Sequence, residues 1–301
     1  MQLTLLSCHD FRCIRTLRFE PSCGINVIRG RNAQGKTSLL EAILFAATAR
    51  SHRTAVESDL VAHGTPGFRI EIRARRHDRD VRIETSWQNG RKRLALNDVP
   101  QTRISDVLGK VSTVLFTPDD IALIKGAGAL RRKFLDMELA QMAPSYLRAL
   151  QEYRQVMRQR NEVLKMHKVD EDMLCVWDEQ LARHGDALTS ARAKYVEDLA
   201  PLAMRAYGLI APGETLSISY RPDIVGGESL GDVLNKTRTS DIRRRMTSRG
   251  PHRDDVEISI SERPARSHAS QGQQKSAALA LKLADLVLVQ QRTGEFPVLM
   301  L

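Results

Sequence analysis

The segment Gly30-Arg31-Asn32-Ala33-Gln34-Gly35-Lys36-Thr37 constrains this chain more than any other stretch. It has the GxxxxGK[ST] spacing of a phosphate-binding loop. An apolar pair, Val27-Ile28, precedes it, and SLLEAILFAATA (38–49) follows. Gly30 and Gly35 permit backbone angles and close approaches that a side chain would block. The loop N–H groups can then point inward at phosphate oxygens, at the positive end of the next helix. Lys36 would reach the β- and γ-phosphates, and the Thr37 hydroxyl would ligate Mg²⁺. A glycine-rich turn without a ligand is the bland alternative, and the flanking strand and helix patterns speak against it. The loop alone names no activity, because kinases, GTPases, transporters and DNA motors share it.

The surrounding pattern predicts an α/β fold. GINVI (24–28) reads as a short apolar strand, and Leu39, Leu40, Ile43 and Leu44 mark one face of the helix after the loop. FRIEIRARR and DVRIETSW alternate apolar with polar residues, the period of strands with one wet face. VSTVLFTPDD (111–120) reads as a buried strand ending in a turn. Between about Leu130 and Leu209, apolar residues recur at three- and four-residue spacing, broken near HKVDED. That predicts a short antiparallel helical hairpin, too brief for a long coiled-coil arm. Pro144 is placed to start a helix, and Pro201 to kink one. TLSISY and DVEISI read as further strands, and the helical segment as an insert within one α/β domain.

A second anion-binding pattern lies far from the first. Ser270-Gln271-Gly272-Gln273-Gln274 precedes the apolar run AALALKLADLVLV. Ser270 is placed to cap that helix, and Gly272 lets a backbone approach closely. An ordinary capped helix is the alternative reading of this segment taken alone.

Composition narrows the partners. The chain has 46 Lys+Arg against 36 Asp+Glu, a net charge of +10. That surplus suits a polyanion, although a soluble basic protein would show it too. Six arginines fall within 238–253 and nine Arg/Lys within 69–93, either of which could track phosphates or simply face water. The four cysteines show no CxxC pair, and no apolar run reaches membrane-spanning length. A reduced, cytoplasmic protein without a signal peptide is the expectation.

With both glycine-containing segments in one chain, the sequence resembles ABC-type ATPase heads of the SMC/Rad50 kind, and most closely the RecF family. The matching pieces are DFR (10–12), the loop with LLEAI, ARSHR (49–53) and LFTPDDIALIKG (115–126). RRKFLD (131–136), RGPHRDD (249–255) and SQGQQKS (270–276) continue the match. SQGQQ stands where transporter ATPases carry LSGGQ. The resemblance implies an ATPase head with a mixed sheet around a central helix and an inserted α-helical lobe. Its division would be head 1–127, lobe 128–210 and head 211–301. It implies that ATP, held by Gly30 to Thr37 of one subunit, is clamped by Ser270 to Gln274 of another in an ATP-dependent homodimer. It also implies binding to single-stranded DNA and to single-strand/double-strand junctions. RecR and RecO would be partners in loading RecA, with a role in the SOS response.

One departure from the family pattern carries an expectation of its own. FPVLML should run into an Asp and a Glu that serve Mg²⁺ and water, and Leu301 is the last residue. The sequence therefore reads as C-terminally incomplete, with hydrolysis in doubt and a non-hydrolysing DNA-binding scaffold as the rival reading. Asp119 and Asp120 are weak substitutes, better suited to a surface or loop-capping role. His252 and Arg253 read as structural. A transporter subunit is disfavoured by SQGQQ, GPHRDD and the basic surplus.

Overall fold

Alternating burial along the strands builds the first of two units. The computed structural model describes all 301 residues and divides into residues 1–117 with 289–301, and residues 118–288. In the first unit the strands are β1 (Gln2–Phe11), β2 (Ile14–Phe19), β3 (Gly67–Arg76), β4 (Arg79–Gln88), β5 (Arg91–Leu96) and β6 (Val99–Gln101). They form one antiparallel sheet in the order β2-β1-β3-β4-β5-β6. A separate parallel pair joins β7 (Thr113–Leu115) to the strand Val298–Met300. Helix α1 (Lys36–Thr48) packs against strands of both sheets and is buried along almost its whole length. It takes its place because Ile70, Ile72 and Ala74 of β3 and Ile83 of β4 all point to one side of the sheet. Phe68 meets Phe11 and Phe45 edge-on, at centroid distances of 5.3 and 5.5 Å. Such edge-to-face contacts suit the ring quadrupoles.

One expected strand is absent. GINVI is irregular, with Ile25 91% and Val27 76% exposed. Asn26 instead bonds back to Ser22, accepting from its N–H at 2.9 Å and donating to its carbonyl at 2.9 Å. This local loop competes with extended pairing, and no strand lies alongside to satisfy the backbone.

The second unit is mostly helical. It comprises α2 (Ala122–Lys125), α3 (Gly128–Met142), α4 (Pro144–Lys165) and α5 (Glu171–Ile210), then α6 (Leu230–Arg244), α7 (Ala265–His268) and α8 (Gln271–Thr293) up to Leu288. A small antiparallel sheet joins β8 (Leu216–Arg221), β9 (Asp255–Ile260) and β10 (Arg263–Pro264). The predicted hairpin is α4 with α5, and Asp170 caps α5 by accepting from the Met173 N–H at 2.9 Å. Helix α5 runs for 40 residues and carries Pro201 in its interior.

Charge fastens this unit. Arg160 is fully buried and donates to Asp178 at 2.6 Å, Asp241 at 2.8 Å and Thr247 at 2.9 Å, joining α4, α5 and the α6 segment. The motifs RRKFLD and RGPHRDD meet in a second knot. Arg131 forks onto Asp255 at 2.7 and 2.9 Å, and Arg132 donates to the Asp254 carbonyl at 2.6 Å. Arg192 bridges Asp136 at 2.7 Å and the Pro251 carbonyl at 2.7 Å. The Tyr153 hydroxyl meets His252 Nδ1 at 2.7 Å. His252 is thus structural, as expected, whereas Arg253 stands exposed.

Candidate nucleotide-binding site

The loop owes its shape to two left-handed residues, Ala33 at φ 62° and Gly35 at φ 91°. At Gly35 a Cβ would sit 2.9 Å from Cys13 Sγ, so glycine is required both by its angle and by its neighbour. Lys36 opens α1 directly after Gly35. No side chain caps that helix, so its first-turn N–H groups remain available to an anion. Gly30, Arg31, Asn32, Ala33 and Gln34 are exposed, as is Thr37. The Lys36 ammonium folds back over the loop onto the carbonyls of Gly30 and Arg31, both at 2.7 Å. The ammonium is thus held against the backbone of the loop itself.

Behind the loop lies a cluster that sequence spacing did not reveal. Glu41 of α1 is fully buried. Arg12, in the β1–β2 turn at φ 56°, donates to it at 2.8 and 3.0 Å. Ser51 donates at 2.5 Å, and Arg53 lies 3.6 Å away. Burial by itself would raise the Glu41 carboxyl, but the bonds from Arg12 and Ser51 outweigh it and hold it below the ordinary glutamate range. DFR and ARSHR are thus gathered on the helix that carries Lys36. The signal was present as motifs, but nothing in the sequence named Glu41 as their common partner.

The second segment forms a reciprocal helix cap. Ser270 Oγ accepts from the Gln273 N–H at 3.2 Å, and the Gln273 side-chain oxygen accepts from the Ser270 N–H at 2.8 Å. This is a capping box with glutamine in the third position. Ser270 Oγ keeps its own hydrogen to donate elsewhere. The Gln274 amide closes onto the Ala269 carbonyl at 3.0 Å. Gln271 and Gly272 are exposed, and a Cβ on Gly272 would meet only Ser270 Oγ at 3.8 Å. Nothing within the chain crowds that face.

The basic segments separate into paired and free cations. Arg238 is held by Asp178 at 2.9 Å and Arg249 by Asp223 at 2.9 Å. Arg243, Arg244 and Arg245 stand exposed at the end of α6 without an acidic partner. On the sheet, Arg69 pairs with Glu84 and Arg73 with Glu71, each at 2.7 Å, and Arg82 reaches Glu71 at 2.9 Å. Arg79, Arg91 and Arg93 remain exposed and unpaired. Of the two acids weighed as metal ligands, Asp120 faces Lys282 at 3.8 Å, and Asp119 is exposed. No group of three or more His, Cys, Asp or Glu side chains is arranged to hold a metal ion, and no helix is long and apolar enough to cross a membrane. All four cysteines are free, and burial pushes the Cys8 thiol up to about 12.

Known proteins share this arrangement. The AAA domain family matches residues 5–182. The chain is 41% identical over its whole length to the DNA replication and repair protein RecF of Symbiobacterium thermophilum, covering 84% of that protein. It is 37% identical to RecF of Desulforudis audaxviator, covering 86%. The solved recombination mediator RecF–ATP, described as part of the RecFOR pathway, superposes with a TM-score of 0.94 at 33% identity, over 99% of this chain and 83% of that one. An SMC head bound to the winged-helix domain of ScpA aligns with a TM-score of 0.53 at 17% identity, over 96% of this chain and 77% of that one. That likeness is one of fold.

Proposed function

We propose, from the premise that this chain belongs to the RecF family of DNA replication and repair proteins, that it is an ATP-dependent DNA-binding protein of recombinational repair. The observation that carries the reading is the loop at residues 30–37. Its exposed backbone leads into uncapped helix amides, and the Lys36 ammonium lies against it. A triphosphate is the anion such a cradle takes. The solved relative bound to ATP supports that choice. Mg²⁺ would take Thr37 Oγ1 as its protein ligand, with phosphate and water oxygens in its other positions. That oxygen set suits a cation that sheds its water reluctantly.

The loop satisfies a triphosphate from one side only. A second copy would offer Ser270, Gln271, Gly272, Gln273 and Gln274 to the γ-phosphate, so that association is linked to nucleotide occupancy. Residues 1–127 and 211–301 would then act as the head, with 128–210 as its lobe. The free cations Arg243–Arg245, Arg79, Arg91 and Arg93 are the DNA-contact candidates. Gapped DNA and single-strand/double-strand junctions, RecO and RecR as partners, RecA loading and SOS support belong to the same reading. So does a cytoplasmic location.

Sedimentation with and without a non-hydrolysable ATP analogue tests it. The expected outcome is a nucleotide-dependent doubling of mass and tighter duplex binding, both lost in Lys36→Ala. An unchanged mass in wild type, or full ATP binding by the variant, would overturn the reading. ATP turnover with and without DNA separates a slow ATPase from a non-hydrolysing scaffold.

A further inference from the structure

The capping box at Ser270 is held in place by a residue from a different part of the chain. Gln273 donates its side-chain N–H to Glu214 Oε1 at 2.8 Å. The other oxygen of Glu214 accepts from the Tyr207 hydroxyl at 2.6 Å. Tyr207 is fully buried in the last turn of α5, and Glu214 lies in the turn between α5 and β8. Three hydrogen bonds therefore run from the end of the 40-residue helix to the first residue of the Ser270 segment.

Chemistry fixes the direction of this chain. A carboxylate can only accept, so the Gln273 NH₂ must face Glu214. The Ser270 N–H can only donate, so the Gln273 oxygen must face Ser270. Both ends of one amide are thereby decided, and the amide cannot flip without opposing two donors or two acceptors. The hydroxyl bond from Tyr207, with that from Gln273, holds the Glu214 carboxyl below its ordinary range, so it stays ionised at neutral pH.

We propose that Glu214 is a positioning residue for the nucleotide clamp. Through Gln273 it sets the Ser270 hydroxyl and the adjacent amides toward the γ-phosphate held by the other copy, and through Tyr207 it ties that setting to the end of α5. The proposal rests on the trans-clamp reading above. It adds a route by which the helical lobe and the clamp affect one another: a shift of the last turn of α5 moves the Tyr207 hydroxyl and releases the Gln273 amide. By reciprocity, clamping on nucleotide orders that turn.

Glu214→Met tests this in the whole chain. The variant keeps the length of the side chain but offers no oxygen acceptor, so the Gln273 amide and the Tyr207 hydroxyl both lose their partner. Three measurements are made: affinity for a fluorescent ATP analogue in dilute protein, sedimentation with a non-hydrolysable analogue, and amide hydrogen exchange over residues 270–276. Affinity of the separate loop should stay within about twofold of wild type, since distant sites act independently. Nucleotide-driven association should weaken about tenfold, the scale of a lost charged hydrogen bond. Exchange at residues 271–274 should quicken, and Tyr207→Phe should show a smaller change in the same direction. Unaltered association with unaltered exchange would overturn the proposal. So would an equal loss of dilute nucleotide affinity, which marks a general structural defect. If wild type itself fails to associate on nucleotide, the clamp reading falls. The exchange data then decide by themselves whether Glu214 holds the segment.

Discussion

Lys36 and Glu41 stand five residues apart on one helix, and they were unequally visible. Lys36 belongs to a local pattern whose spacing is its meaning. Glu41 acquires meaning only when Arg12, Ser51 and Arg53 arrive from elsewhere in the chain. Its carboxyl is held below its unfolded value of 4.5, so it contributes stability that is complete above that pH and lost as pH falls through the folded value. Thermal unfolding followed between pH 7 and pH 3 should therefore show a steeper acid decline in wild type than in Glu41→Gln. Parallel curves would count against the cluster. Glu41→Ala at pH 7 should cost about 3 kcal/mol, because it removes the fully buried acceptor shared by Arg12 and Ser51. Denaturant unfolding measures that cost.

At the scale of elements, helix periodicity showed α4 and α5 but not how they are joined. Arg160, which no motif singles out, is the fully buried hub of three helical segments. Arg160→Ala should destabilise the second unit by about 3–5 kcal/mol, since it leaves the fully buried Asp241 without its cationic partner. The expected readout is a fall in Tm with nucleotide binding at the loop retained below that temperature. A change within error would show the hub to be dispensable. Gly185 marks the same junction. A Cβ there would press on Leu230 at 2.3 Å and Pro251 at 3.3 Å, which is why α5 carries a glycine in its interior. GINVI shows the reverse case. Its composition favours a strand, but a strand is stable only beside a partner, and Asn26 found a local one in Ser22.

For the molecule as a whole, net charge predicted a polyanionic partner, and the ion pairs show which charges remain to meet it. The arginines of 69–93 are largely spent on Glu71, Glu84, Asp80 and Asp98. Replacing Arg243, Arg244 and Arg245 with Ala should flatten the plot of log affinity for duplex DNA against log salt by about 2–3 units per protomer, if each meets a phosphate. An unchanged slope, with a change in Arg91→Ala/Arg93→Ala instead, would place the contact on the sheet. By itself the sequence determined the loop, the Ser270 segment, the helical hairpin and the alternating strands. Each rests on bonds between residues close in the chain, or on a period that repeats along it. Tertiary structure alone decided which charges are neutralised, what Glu41 and Arg160 hold, and that Glu214 steers Gln273. Those outcomes depend on distances between residues far apart in sequence, and such distances exist only once burial has brought the elements together and removed the competing water.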